Sequence, residues 1–113
     1  MRIRLLLVVS VLALASLSAA QGRTQTFVGT ITDDMCATKD GHATMRMGPT
    51  DAECTTACVA AHGAEYVLTD GTQVYTLSDQ KTPEKFAAKK VRVSGTLDTK
   101  TKRIQVASMT LAN

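Results

Sequence analysis

The 113-residue sequence has no tryptophan, only two tyrosines and two phenylalanines, and only three cysteines. With so few aromatic side chains, a surface that stacks nucleobases or sugar rings is not expected, and core packing is the favoured role of Phe27, Tyr66 and Tyr75. A large charge excess is lacking too, because 11 basic and 10 acidic residues remain once residues 1–20, with Arg2 and Arg4, are set aside. A nucleic-acid partner is therefore not expected.

The sequence also lacks an apolar run of the roughly 20 residues that a membrane-spanning helix needs. The nearly unbroken apolar run at residues 5–15 follows Arg2 and Arg4 and is followed by small residues that include Ser18 and Ala20. This arrangement is typical of a secretory signal peptide. We expect residues 1–20 to be cleaved, and no cysteine stands at the cut to accept a lipid. The mature chain is predicted to be periplasmic or secreted, without stable membrane insertion.

The alternation of β-branched and other residues from Thr26 predicts a first strand with Phe27, Gly29 and Ile31 on one face. Residues 35–49 contain turn signals and no clear period, so they are predicted to form an ordered loop, or one with a short helical turn. A helix over residues 51–62 is predicted next. Thr50 and Glu53 form a capping box at its start, and Gly63 ends it.

Two hairpins and a short helix complete the expected order. Asp70-Gly71 lies between two β-rich runs and predicts a hairpin. Thr82 and Pro83 predict the start of a short helix, and a second hairpin is expected over residues 91–111. The fold class is therefore mostly β with two short helices, as a five-stranded OB-like β-barrel or, alternatively, a meander with two packed helices. Residues 21–25 are expected to be a flexible N-terminus, and residues 26–113 a single domain with an insertion at 33–64.

Four segments in this order, GTITDDMC, ECTTACV, AEYVLTDGTQVYTLSD and FAAKKVRVSGTLD, resemble a group of small exported bacterial proteins of unknown function. The resemblance covers about residues 27–111 and implies export, a Cys/His loop, a Cys-Thr-x-x-Cys helix and an OB-like β-barrel. It implies no activity. The chain departs from the group at Ala87-Ala88, where Ala-Gly is expected before the fourth strand.

The residues most suited to chemistry lie in the predicted insertion. Cys36, His42, Cys54 and Cys58 supply three thiolates and an imidazole, a set that suits structural zinc. Methionines in the same loop, together with the thiolates, favour soft ions such as copper(I). The predicted metal ligands are Cys36, His42, Cys54 and Cys58. His62, Met45 and Met47 stand in reserve.

A disulfide is the alternative role for these cysteines, because exported proteins form disulfides and a small domain is stabilised by one. Three cysteines allow at most one bridge within the chain. Side chains four residues apart on a helix are too far apart to pair, so Cys36 with Cys54 or Cys58 is the expected bridge. A thiol enzyme with Cys58 as nucleophile and His62 as base is the third interpretation, although no third group orients His62.

The sequence thus favours a non-enzymatic binding protein of the cell envelope, whose partner is a soft metal ion or an envelope protein. The alternative is a disulfide-stapled OB-like ligand-binding or interaction domain without metal. Nothing in the sequence specifies the oligomeric state.

Overall fold

A computed structural model describes residues 22–38 and 40–113. The predicted signal peptide, residues 1–20, lies outside the described residues. In chain order the elements are β1 (Gln25–Asp33), α1 (Gly41–Met45), α2 (Asp51–His62), β2 (Tyr66–Thr69), β3 (Val74–Leu77), a 3₁₀ helix (Thr82–Phe86), β4 (Lys90–Asp98) and β5 (Arg103–Leu111). The expected mostly β fold with five strands is confirmed, and its β1 begins at Gln25, within the segment expected to be flexible.

The five strands close into a ring in the order β1-β2-β3-β5-β4, and β4 pairs again with β1. We call these strands the β-ring. All of its pairings are antiparallel except the short one between β3 and β5, which joins Thr76 to Arg103 and Leu77 to Ile104. Every second side chain along each strand points inward, and the side chains that fill the interior are apolar. Ile31, Leu68, Leu77, Val91, Val93 and Ile104 are each 0% exposed.

Helix α2 matches its predicted bounds. The Thr50 hydroxyl accepts a hydrogen bond from the Glu53 backbone N–H at 3.2 Å, and Gly63 ends the helix with a φ of 66°. The second half of the predicted capping box differs, because the Glu53 carboxylate accepts a hydrogen bond from the Thr50 hydroxyl at 2.9 Å. The cap still neutralises an orphan donor at the helix start.

The predicted second short helix is a 3₁₀ helix that ends at Phe86. Its N-terminal donors are satisfied by Asp79 instead of the predicted Thr82, because Asp79 Oδ1 accepts from the backbone N–H groups of Lys81 and Thr82 at 2.9 and 3.0 Å. A short helix, α1, occupies part of the loop before α2, where a short helical turn was one of the two expectations. Among the described residues, no helix combines the length and apolar character that crossing a bilayer requires.

The chain leaves and re-enters the β-ring at one point, which we call the neck. Asp33 and Tyr66 form the last pair between β1 and β2. Just beyond them, the Asp34 N–H donates to the Glu65 carbonyl at 3.0 Å and the Glu65 N–H donates to Asp34 Oδ1 at 3.2 Å. The structure therefore places the insertion at residues 34–65, one residue later than predicted, and the name refers to these residues below.

Candidate metal centre

Three sulfur atoms meet inside the insertion. Helix α2 carries Cys54 and Cys58 one turn apart on its buried face, at 1% and 0% exposure. Cys36 lies in the turn after β1, and its Sγ is 3.8 Å from the Sγ of Cys54 and 3.8 Å from that of Cys58. All three sulfurs lie within 4.8 Å of one another. The three predicted thiol ligands are therefore brought together closely enough to bind one metal ion.

The predicted disulfide is not formed. A disulfide has an S–S distance of about 2.05 Å, whereas Cys36 is 3.8 Å from both of its candidate partners. All three cysteines are free and buried.

A second group of ligand atoms shares Cys36. One carboxylate oxygen of Asp33, the Cys36 sulfur and a ring nitrogen of His42 also lie within 4.8 Å of one another. The predicted four-ligand set is thus divided, because His42 groups with Asp33 and Cys36 and the other two cysteines group with Cys36 alone. Cys36 stands at the junction of both groups.

The position of Cys36 is fixed by backbone contacts with the end of β1. Its N–H donates to the backbone carbonyl and to Oδ1 of Asp33, both at 3.1 Å. Helix α1 packs tightly against the other side of this residue. A β-carbon on Gly41 would collide with the Cys36 carbonyl. Glycine at this position therefore lets α1 approach closely enough for the next residue, His42, to reach the cysteine.

Two ligand atoms in this group are buried without a hydrogen-bond partner. Within the described part of the chain, the buried side-chain atoms that lack a partner are Asp33 Oδ2, His42 Nδ1 and Thr55 Oγ1. A buried polar atom without a partner costs about 1–3 kcal/mol. Two of these three atoms belong to Asp33 and His42, the residues grouped with Cys36, so each is available to bind a cation.

The reserve ligands differ in position. His62 is exposed at the end of α2 and belongs to neither group. Met45 and Met47 are partly buried and pack against the cysteine cluster, so they surround the site. Among the histidine, cysteine and acidic side chains of the described residues, the two groups of close ligand atoms are drawn from Asp33, Cys36, His42, Cys54 and Cys58.

Burial suppresses ionisation of two of the thiols. Burial, with the neighbouring Asp33 carboxylate as the next cause, raises the pKa of Cys36 well above its usual value. Burial is also the main reason that the pKa of Cys58 is raised. Without a cation these thiols stay protonated at neutral pH, and a protonated thiol is a poor nucleophile. A metal ion would supply the positive charge that favours their thiolate forms.

A cavity of about 200 Å³ borders one side of the centre. Among the described residues, its lining includes Cys36 and His42 together with Thr32 and Thr38, but not Cys54 or Cys58. The cavity therefore gives access to the shared cysteine from the histidine side.

Asp33 is the residue that the sequence analysis missed as a candidate ligand. The pair Asp33-Asp34 resembles an ordinary strand end, and β1 does end there. The signal was the parity of the strand, because Asp33 continues the series Phe27, Gly29 and Ile31, whose members share the inward face. Asp33 is accordingly 0% exposed, whereas Asp34 is exposed.

Comparisons of the chain with protein-family models, with curated proteins and with solved structures gave no match.

Proposed function

We propose that this protein is an exported, non-enzymatic binding protein of the cell envelope that holds a soft transition metal, copper or zinc, through Cys36, Cys54 and Cys58. The observation that carries the proposal is the triangle of buried sulfurs. Around a tetrahedral zinc ion with Zn–S distances of about 2.3 Å, two sulfurs are separated by about 3.8 Å. Cys36 has this separation from both helix cysteines.

The β-ring supports an OB-like β-barrel as the carrier of this site. Its strand order is β1-β2-β3-β5-β4, and the 3₁₀ helix lies between β3 and β4 in the chain. Five strands in a closed or partly open Greek-key ring are the architecture of the OB fold. The resemblance to small exported proteins and the apolar run at residues 5–15 support export, to the periplasm or outside the cell. The expected partner is the metal ion or an envelope protein.

The arrangement of Cys58 and His62 weighs against the thiol-enzyme interpretation. A nucleophile must be reachable by its substrate, but Cys58 is fully buried while His62, its candidate base, is exposed. Burial also raises the pKa of the Cys58 thiol, and this opposes formation of the reactive thiolate. The same burial suits a structural metal ligand.

Metal content and thiol count test the proposal together. The chain, expressed with residues 1–20 and purified from the periplasm, is expected to begin at Gln21 and to carry copper or zinc. Denaturing alkylation under reducing-agent-free conditions should modify all three cysteines. His62→Ala, a change at an exposed residue outside the cluster, should retain the metal, whereas Cys54→Ala should lose it.

Closely packed protonated thiols would have similar sulfur separations, so metal binding must also be measured directly. Reduced, metal-free protein should take up zinc(II) or copper(I) with release of protons. A protein without metal that is two hydrogens lighter than its reduced mass and has one free thiol would refute the proposal. That result would establish the disulfide-stapled alternative instead.

A further inference from the structure

We propose that Cys36 is a bridging ligand between two metal positions: a sulfur position formed with Cys54 and Cys58, and a mixed position formed with Asp33 and His42. The inference rests on the proposed function, because the first position is the site proposed above. The mixed position is new, and its oxygen, nitrogen and sulfur donors suit a borderline divalent ion such as Zn²⁺.

The grouping of ligand atoms is the first argument. Each set of three has all its ligand atoms within 4.8 Å of one another, and Cys36 is the member that they share. A single ion bound by all five residues would need five ligands around one point, whereas zinc sites in proteins are almost always four-coordinate. Two positions that share the Cys36 thiolate each have three protein ligands. One further ligand at each position, a water molecule or a ligand that enters through the cavity, completes four-coordination.

The unpartnered atoms are the second argument. Asp33 Oδ1 accepts hydrogen bonds from the N–H groups of Met35 and Cys36, both at 3.1 Å, and this holds the carboxylate in place. Its other oxygen, Oδ2, is buried and has no partner, although the residue is 0% exposed. A buried carboxylate oxygen that is fixed and unsatisfied is suited to binding a cation.

His42 is oriented in the way that metal-binding histidines usually are. Its Nε2 lies 3.1 Å from the Thr32 hydroxyl, and its buried Nδ1 has no partner. When the hydroxyl accepts from Nε2–H, the neutral ring has its lone pair on Nδ1. A hydrogen bond at one ring nitrogen that directs the other nitrogen to the metal is a common outer-shell feature of such sites.

The cavity predicts that the two ions exchange at different rates. It is lined by Cys36 and His42, so an ion at the mixed position can enter and leave through it. The sulfur position lies between Cys36 and α2, whose two cysteines do not line the cavity. We therefore expect a chromophoric chelator to withdraw one zinc ion rapidly and the other at least tenfold more slowly.

The main experiment is an anaerobic titration of the reduced, metal-free protein with Zn²⁺, followed by native mass spectrometry. The wild type should bind two ions. Asp33→Asn and His42→Gln should each bind one. The matched controls Asp34→Asn and His62→Gln, which change exposed residues outside both groups, should bind two. Retention of one ion by the two test variants shows that they are folded.

Cobalt(II) tests the bridge itself. Two Co²⁺ ions that share the Cys36 thiolate are magnetically coupled, so the doubly loaded wild type should give much less than twice the EPR intensity of the singly loaded Asp33→Asn variant. A wild type that binds one ion, with Asp33→Asn and His42→Gln also binding one, would overturn the second position and leave the proposed function intact. A single ion whose affinity falls in those variants would mean that all the ligands serve one position, which also overturns the bridge. No metal uptake at all would overturn both proposals.

Discussion

The β-ring and the insertion fill their interiors with different chemistry. The ring is packed with branched aliphatic side chains, and Ile31, Leu68 and Ile104 are fully buried in it. The buried cluster of the insertion contains only small or sulfur-containing residues, namely Cys36, Cys54, Cys58 and Ala64. Burying an aliphatic side chain contributes about 1.5–3 kcal/mol to folding, so the ring has a conventional core. The insertion has little such burial, so we expect its order to depend on what the thiols bind.

The largest effect is expected from removal of the shared cysteine. Cys36→Ala should abolish metal binding and leave the insertion without its central contact. A structural zinc ion contributes on the order of 10 kcal/mol in small zinc-binding peptides, so α2 amides should exchange hydrogen orders of magnitude faster. Amides of β4 and β5 should keep their protection. Met35→Ala, a change at an exposed neighbour, is the control, and unchanged α2 protection in Cys36→Ala would refute the contrast.

A change in the ring core should have the opposite pattern. Leu68→Ala removes a fully buried side chain and should lower the free energy of unfolding by about 2–5 kcal/mol. Denaturant unfolding measures this loss, and the folded protein should bind as much metal as the wild type. Val28→Ala, at a position 38% exposed, should cost far less. Loss of metal from folded Leu68→Ala would show that the two interiors are not independent.

The start of α2 provides a smaller, local test. Thr50→Ala removes the hydroxyl that accepts the Glu53 N–H, and such a loss typically costs about 1 kcal/mol. The effect should appear as faster hydrogen exchange in the first turn of α2, with little change in the β-ring. Thr72→Ala, in an exposed turn, is the control. Equal effects from both substitutions would contradict the assigned cap.

Replacing Ala88 with glycine should stabilise the protein. It has a φ of 60°, a left-handed conformation that costs a non-glycine residue about 1–2 kcal/mol. Ala88→Gly should therefore raise the free energy of unfolding by up to about 1 kcal/mol. Ala60→Gly, at an exposed position in α2, should lower it by about 1 kcal/mol. Thermal unfolding of both variants shows whether stability rises or falls. A less stable Ala88→Gly variant would show that the backbone at Ala88 is not strained.

The smallest effect concerns pH and the turn between β3 and the 3₁₀ helix. Hydrogen bonds from the Thr82 side chain, and then from backbone N–H groups, lower the pKa of Asp79. Because the folded pKa lies below the unfolded value of about 3.9, the carboxylate stabilises the fold above that value. This contribution is lost as the pH falls through the folded pKa. Asp79→Asn should show a smaller decrease in stability than the wild type between about pH 6 and pH 3; equal decreases would exclude Asp79 as a source.

Local signals were sufficient to predict most elements of this fold. Asp70-Gly71 marked the first hairpin, and Thr50 with Gly63 fixed both ends of α2, because caps and turns depend on nearby residues. The expected glycine after Ala87 was also informative, since Ala88 has the positive φ that favours glycine. The short helix after β3 was also predicted, but its Asp79 cap was not, because that cap depends on how the chain turns back toward β1, where Ile31 and Ala88 are hydrogen-bonded.

The candidate site could be predicted only in part. Residue type and the helical spacing of Cys54 and Cys58 identified the thiols, but their distances to Cys36 depend on tertiary packing. The role of Asp33 required knowing that β1 continues inward to its last residue, and the division of His42 from the helix cysteines required the position of α1. Neither the inward direction of Asp33 nor the position of α1 can be deduced from the spacing of residues along the sequence.

The neck makes the insertion an addition to a hairpin. Since Asp33 pairs with Tyr66 and Asp34 bonds to Glu65, the insertion occupies the place of an ordinary hairpin turn between two antiparallel strands. A short turn that spans one strand pair, about 5 Å, could replace it without altering strand register. The candidate site could not be transplanted with the insertion alone, because Asp33, and Thr32 beside His42, lie in β1. The scaffold thus supplies part of the site that it presents.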